Sequence, residues 1–427
     1  MKEKILRFIL SLVKLAIMLT IVAGISLFII NKLEIKKEED RKISESIAAE
    51  KLASEEAAQK ESENKEVAEL IPEKEVVEEK TPTYTPPKPA VQSGDWRYYV
   101  DSTNAILCGY TGEERSITLP TEIDNYPITG FTEGVCFYNE KLEKIVIPEG
   151  FSEIPVNAFI GCTNLKEVEI SNTVKVIRSN AFKGCSSFEN LLIPANIERI
   201  DKAAFAGLSN LKTITVDESS SYYIAENDIL YNRDKTKLIK VNNEVSELSI
   251  LPSVREIGSY AISNNENLKN LTLSNSLNTI NEFAIYNCPN LTNITIPGNV
   301  LTIYPGAFYG CTGISFFEVD SANKNFSTLD GILTDKKQTK LLCMPPAKEY
   351  SSYNIPEDIT YIENYAFVEC NIKEITIHSK VDRVGLCAIV GGENMTLKIE
   401  KSQTSFASSA VSGWNSLYKG SIEFVEN

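Results

Sequence analysis

Between residues 94 and 400 the apolar positions come in short bursts rather than long periodic runs. In one burst Leu165, Val168 and Ile170 are interleaved with Lys166, Glu167 and Glu169, and Val174 and Ile177 follow at wider spacing. Alternation with period two marks a strand covered on one side only. The last inward position of each burst aligns along the chain as Leu119, Ile147, Ile170, Ile193, Val216, Ile250, Leu273, Ile296, Val319, Ile355, Ile377 and Ile399. Successive members lie 22 or 23 residues apart, except for a first step of 28 and later steps of 34 and 36. A unit this small cannot bury its own apolar side, so neighbours must stack. The pattern therefore predicts a solenoid, mainly β, of short parallel strands joined by irregular or 3-10 turns.

Within the unit other residues keep register. Ala158-Phe159-Ile160-Gly161-Cys162 precedes Leu165, and Ala181-Phe182-Lys183-Gly184-Cys185 precedes Phe188, Leu191 and Ile193-Pro194. Pro120, Pro148, Pro194, Pro297 and Pro356 each follow a strand directly, where a missing N–H is tolerated because pairing stops. The Ala-Phe pair is expected to form the far wall, with the ring filling each coil. These residues resemble the BspA-like, or treponemal-type, leucine-rich repeat family, whose unit carries Ile-Pro, Ala-Phe and Gly-Cys elements in the same order. The resemblance covers residues 94 to 400. It implies an N-terminal entry from Trp96 through Gly109-Tyr110-Thr111-Gly112 to Leu119-Pro120. It also implies hairpin insertions in the long steps, at Asn227-Asp228-Ile229-Leu230-Tyr231 and Leu329-Asp330-Gly331-Ile332-Leu333. Ile262 and Ile285 depart from the pattern by replacing the Phe, Cys136 occupies a Phe position, and the chain leaves the repeat after Lys401, where Trp414 and Phe424 are read as a cap.

Upstream the pattern changes twice. Residues 8–30 are apolar apart from Lys14 and a few hydroxyl residues, enough as a helix to span a hydrocarbon core of about 30 Å. A cleaved signal peptide is the rival reading, but the apolar run resumes after Val22-Ala23-Gly24, which favours an uncleaved single-pass anchor. Residues 1–7 are then a cytoplasmic head. Residues 31–93 form a linker: positions 32–80 hold ten basic and sixteen acidic groups and no aromatic ring, and Pro82, Pro86, Pro87 and Pro89 stiffen the end. The solenoid with its caps occupies 94–427, on the extracellular side.

Composition narrows the chemistry. A net charge of −15 without a basic cluster speaks against nucleic acid as a partner. Nine Cys with no CxxC pair suggest neither a disulfide framework nor a zinc site. Cys162, Cys185, Cys288, Cys311 and Cys370 share one place in the repeat, which reads as a buried packing column. His378 is the sole His and is expected in solvent at a strand end, so no catalytic triad can be assembled around it. A cysteine-dependent enzyme would need Cys370 or Cys387 to face outward beside His378. Gly130 and Gly391-Gly392 lack the Lys of a phosphate loop. No catalytic, metal or cofactor site is therefore expected. The sequons at Asn270, Asn290, Asn293, Asn325 and Asn394 fit the Asn- and Thr-rich strand composition.

What remains is surface. Residues two and four after each strand Leu should face outward on the inner curve of the sheet, where solenoids bind partners. These are Lys144 and Val146, Glu167 and Glu169, Asn190 and Leu192, Thr213 and Thr215, Asn270 and Thr272, Asn293 and Thr295, Phe316 and Glu318, and Glu374 and Thr376. Most are what any solvated sheet carries, while Val146, Leu192 and Phe316 stand out as apolar. The expected partners are an extracellular or envelope protein and, through residues 8–30, the lipid bilayer. Resemblance to the family implies adhesion or protein recognition. A self-associating envelope component is the alternative, and an enzyme the remotest.

Overall fold

The computed structural model describes residues 90–101, 103–390, 395–400 and 421–425. The segments expected as cytoplasmic head and anchor, the linker up to residue 89, Asn394 and Trp414 lie outside the described residues. Every regular element among the described residues is a strand, and no helix there is long and apolar enough to cross a membrane.

The chain enters through a meander. Val91–Ser93, Trp96–Asp101 and Asn104–Tyr110 pair antiparallel, and Asn104–Tyr110 then pairs parallel with Tyr126–Phe131. The first of these strands lies on the linker side of the 93/94 boundary suggested by composition. From there the chain winds into coils with three walls. The front sheet holds the predicted strands in the predicted register: Ile145 pairs with Val168 and Ile147 with Ile170, Ile193 with Val216, Ile296 with Val319, and Ile377 with Ile399. The side wall stacks two-residue strands such as Glu153–Ile154, Val176–Ile177 and Arg199–Ile200 in parallel. The third wall is a run of turns, drawn in places into two-residue parallel strands such as Ile262–Ser263 with Ile285–Tyr286, with no 3-10 helix among the described residues.

The Ala-Phe pairs hold that turn wall together. Phe159 N–H donates to Ala181 O at 2.9 Å, Phe182 to Ala204 at 2.9 Å and Ile285 to Ala307 at 2.8 Å. The residue before each Ala turns the corner with positive φ: Asn157 (55°), Asn180 (57°), Tyr260 (56°), Phe283 (53°), Gly306 (69°) and Tyr365 (62°). Asn and Gly suit this left-handed region, whereas bulky rings there are strained and must be held by packing. Asn side chains tie coils at another corner. Asn267 Nδ2 donates to Asn243 O at 3.0 Å and Asn290 Nδ2 to Glu266 O at 2.6 Å.

The two long steps contain the expected hairpins. Tyr223–Glu226 and Ile229–Asn232 join through Asn227-Asp228, both with positive φ, and Phe326–Leu329 and Ile332–Asp335 join through Asp330-Gly331 in the same way. Two left-handed residues give the turn whose twist matches the strands it connects. Alternate hairpin residues face opposite ways and feed two cores. Leu230 packs with the coils before it, and Ile229 and Tyr231 with those after it. Leu333 and Ile332 divide between the second and third cores likewise. The array thus contains three apolar blocks. At its end Ser421–Val425 pairs parallel with Thr396–Glu400, placing Phe424 opposite Ile399. The chain beyond Lys401 therefore supplies a further strand in register, where the sequence pattern had been read as ending.

Candidate functional site: the front sheet and its opening

The front sheet alternates as expected. Ile145, Ile147, Leu191, Ile193, Ile294 and Ile296 are buried. Glu167, Glu169, Asn190, Leu192, Thr213, Thr215, Asn270, Thr272, Asn293, Thr295, Phe316 and Glu318 are exposed, and Val146 is half-buried. The structure thus brings these side chains onto one face. Most of the polar members are satisfied by their neighbours in the adjacent coil. Lys144 Nζ bridges Glu167 at 2.9 Å and also reaches Glu169. Thr213 Oγ1 donates to Asn190 Oδ1 at 2.6 Å, Asn270 Nδ2 to Glu247 Oε1 at 3.2 Å, and Thr295 Oγ1 to Glu318 Oε2 at 3.0 Å. Lys166 and Arg115 together hold the Glu143 carboxyl below its ordinary range. Exposed pairs of this kind contribute about 1 kcal/mol or less each, so they set the polarity of the face more than its stability.

Two apolar residues break that ladder. Leu192 is 61% exposed and Phe316 is 37% exposed. Phe316 is partly roofed by the second hairpin, since a Cβ on Gly331 would come within 3.1 Å of its own Cβ and Phe317 N–H donates to Gly331 O at 2.9 Å. Asp330 of that turn receives Lys348 Nζ at 2.7 Å and Tyr350 Oη at 3.2 Å, which lowers its carboxyl pKa. Leu192 borders something the sequence did not announce. Glu167–Ile170 and Asn190–Ile193 belong to separate sheets, although the other two walls run unbroken past them through the Val176–Arg199 pair and the Phe159-to-Ala181 bond. A cavity of about 820 Å³ lies in the gap, lined by Val168, Ile170, Phe182, Phe188, Leu191 and Leu192 among others.

Two residues mark the opening. Pro194 stands where Ser171 and Asp217 donate N–H groups to Ile147 O and Ile193 O at 3.0 Å, so it has nothing to give Ile170. Proline alone is insufficient, because the strand before Pro148 still pairs with Ser116–Thr118. Phe188 stands here in the place of Leu165 and Leu211, is buried, and packs against Phe182 with ring centroids 6.1 Å apart. A second break, between Asn270–Thr272 and Asn293–Ile296, precedes Pro297.

A family profile, described as the BspA type leucine rich repeat region, matches residues 133–249, 240–329 and 347–426 in six copies. The chain belongs to this family. No curated protein matches it. Among solved structures, a leucine-rich cell surface protein from Faecalibacterium prausnitzii is 22% identical, with a TM-score of 0.39 over 80% of this chain and 96% of that one. The pneumococcal vaccine antigen PcpA is 16% identical, with a TM-score of 0.42 over 80% and 100%. A leucine-rich repeat protein from Eubacterium ventriosum is 19% identical, with a TM-score of 0.39 over 69% and 92%.

The BspA-type signature explains the thiols. Cys162, Cys185, Cys288, Cys311 and Cys370 are all buried. Each Sγ lies against a carbonyl of the coil before, such as Cys162 on Cys136 O at 2.9 Å and Cys185 on Phe159 O at 3.2 Å. A thiol there fills a tight place and offers a weak donor to a buried acceptor. Burial pushes the Cys162 thiol up to about 12 and those of Cys185 and Cys370 up as well. Cys288 goes the other way through its contact with Cys311 and the nearby Lys240.

His378 corrects the sequence reading. It is buried, with 5% exposure. Its Nε2 lies 2.9 Å from Pro356 O, and its Nδ1 accepts the Lys380 N–H at 3.1 Å. The imidazole closes a turn between BspA-type coils, and hydrogen-bonding capacity that the sequence left to water is spent on backbone. Also absent from the sequence reading is a cluster of half-buried rings on the turn wall, formed by Tyr260, Phe283, Tyr286, Tyr309 and Tyr365. The signal was present as aromatic residues standing before Ala261, Ala284 and Ala366, where Asn stands before Ala158 and Ala181.

Proposed function

We propose that this is a non-enzymatic recognition protein of a bacterial cell surface, held by a single-pass anchor at residues 8–30 and contacting extracellular or envelope proteins with its front sheet. The observation that carries the reading is the pair of exposed apolar residues, Leu192 and Phe316, on a face whose other exposed positions are polar and mostly paired with their neighbours. Exposed apolar groups set among satisfied polar ones are the usual make-up of a contact centre with a polar rim. Family membership supports the reading, because solenoids of this kind vary their sheet face while keeping the buried ladder. The test is saturable binding of extracellular proteins to cells displaying the full chain. Phe316→Ala and Leu192→Ser should each weaken binding about tenfold, equivalent to roughly 1.4 kcal/mol. External protease should digest the repeats on intact cells, and protection would place the partner on the other side of the membrane.

A self-associating envelope component is favoured by one feature, the strand Ser421–Val425, which has a hydrogen-bonded neighbour on one side only among the described residues. An open edge is a template for another chain. Concentration-dependent assembly without saturable binding would support that reading.

A further inference from the structure

We propose that Cys288 and Cys311 are a redox pair inside the array, in which Cys288 reacts with a small disulfide and Cys311 then closes on it, joining two successive coils covalently. The front sheet plays no part in this. Position makes the first argument. Ile262–Ser263 pairs in parallel with Ile285–Tyr286, and the following coil keeps the register, with Ile285 N–H donating to Ala307 O and Asn287 N–H to Tyr309 O, both at 2.8 Å. The two backbones are pressed together there, since a Cβ on Gly310 would stand 3.1 Å from the Asn287 Cα. Cys288 and Cys311 come next in each coil, so they lie one strand spacing apart, roughly 4.8 Å. A disulfide spans Cα separations of about 4.4–6.8 Å. Both thiols turn into the same apolar core. Cys311 Sγ lies 3.3 Å from Ile285 O and Cys288 Sγ lies 3.6 Å from Tyr286 O, two successive carbonyls of one coil.

A buried cation makes the second argument. The Lys240 side chain is enclosed in the same interior, and its Nζ donates to Ser263 Oγ at 2.7 Å. Ser263 stands opposite Tyr286, whose carbonyl meets the Cys288 sulfur. An ammonium has three donors, and the acidic group whose charge acts on this one is Cys288. Cys288 is lowered in turn, first by the Cys311 thiol and further by Lys240, while burial and the donated hydrogen bond keep Cys311 protonated. The thiolate is the nucleophile in exchange. Cys162 and Cys185 supply the contrast, because they too stand one coil apart, joined by the Gly161 N–H to Lys183 O bond at 2.8 Å, yet burial pushes both thiols up. In the first step the Cys288 thiolate attacks one sulfur of the reagent disulfide, forming a mixed disulfide and expelling a thiolate. With the Cys288 charge consumed, the Cys311 proton is released, and its sulfur attacks Cys288 Sγ and expels the second thiolate. The two expelled thiolates take up the two protons, so two protein thiols are oxidised and one disulfide is reduced to two thiols. Both sulfurs are buried, and the reagent reaches them through local opening of the coil.

The experiment incubates the full chain, reduced beforehand, with oxidised glutathione and maps its cysteines by mass spectrometry over time at a series of pH values. Expected is a Cys288–Cys311 crosslink that forms at least about tenfold faster than a Cys162–Cys185 crosslink. Cys311→Ser should stop at the glutathione adduct on Cys288. Lys240→Met should slow modification of Cys288 about tenfold and move its pH profile upward, with the Cys162–Cys185 rate unchanged. If Cys311→Ser does not fold, the wild-type crosslink and Lys240→Met decide. Equal rates for the two pairs, a Cys288 adduct that persists in the wild type, or a Cys288 pH profile unmoved by Lys240→Met would each overturn the proposal. Faster modification of both pairs in Lys240→Met would mean loosened packing in place of an electrostatic role, and would overturn it too. So would modification of Cys288 only at denaturant concentrations that unfold the whole array. None of these results bears on the Phe316 and Leu192 test of surface recognition.

Discussion

Three successive coils of the first block carry a ring on the inside of the turn wall, and two successive coils of the second carry it on the outside. Phe159, Phe182 and Phe205 stack along the interior with centroids 5.5 and 6.0 Å apart and nearly parallel planes, at 20° and 9°. The corners beside them are Asn157, Asn180 and Ala203. In the second block the same interior places hold Ile262 and Ile285, while Tyr260 and Phe283 take the corners and touch at 5.3 Å. Phe283 reaches Tyr365 at 5.2 Å across Gly306, whose missing side chain leaves the room. A coil of fixed perimeter can place a ring on either side of its wall, with different results. Rings inside stack as one column along the core, which Phe188 joins through Phe182. Rings outside cost backbone strain of about 1–2 kcal/mol per left-handed residue, offset by ring contacts of about 0.5–1.5 kcal/mol each.

Substitutions sharpen this contrast. Phe182→Ala, which removes a buried ring touching three others, should cost about 3–5 kcal/mol in urea unfolding. Next in size is a pH effect at Lys240, on the strand that joins the two blocks. Lys240 is 1% exposed, and its Nζ donates to Ser263 Oγ at 2.7 Å. Burial lowers its pKa to about 8. The unfolded chain then holds this proton up to the ordinary Lys range while the folded chain has released it, so stability rises with pH between about 8 and 10.4. The gain of wild type over Lys240→Met across that window should be at most about 3 kcal/mol, read by denaturant melts at each pH. A flat difference would mean that the ammonium is solvated.

Gly306→Ala comes third. It puts a Cβ within 2.6 Å of the Phe283 ring at a φ of 69° and should cost about 1–3 kcal/mol, with loss of the Phe283–Tyr365 contact visible in ring chemical shifts. Smallest is Tyr260→Gly, where relief of left-handed strain and loss of ring contacts nearly cancel, leaving a change under about 1 kcal/mol. A large loss there would make the outer rings as structural as the inner ones.

The buried ladder was legible because it repeats. Leu, Ile and Val return at a near-constant step, and each states the same inward direction. The hairpins were legible through the family resemblance, which implies insertions of this kind in the two long steps. Outward positions on the front sheet followed from alternation alone. The opening was not legible, since the strands before Pro148 and Pro194 look alike in the sequence while only the first pairs with its predecessor. His378 was misplaced for a similar reason, as its polarity suggested water and its partners, Pro356 O and Lys380 N–H, are set by coil-to-coil packing. The strand Ser421–Val425 escaped notice because the chain before it loses the repeat spacing.

The two hairpins act as insulators. Because Leu230 serves one core while Ile229 and Tyr231 serve the next, a whole coil can be gained or lost on either side without shifting the register across the seam. The length of the array, and with it the number of front-sheet positions open to variation, is thereby free to change in increments of a single repeat.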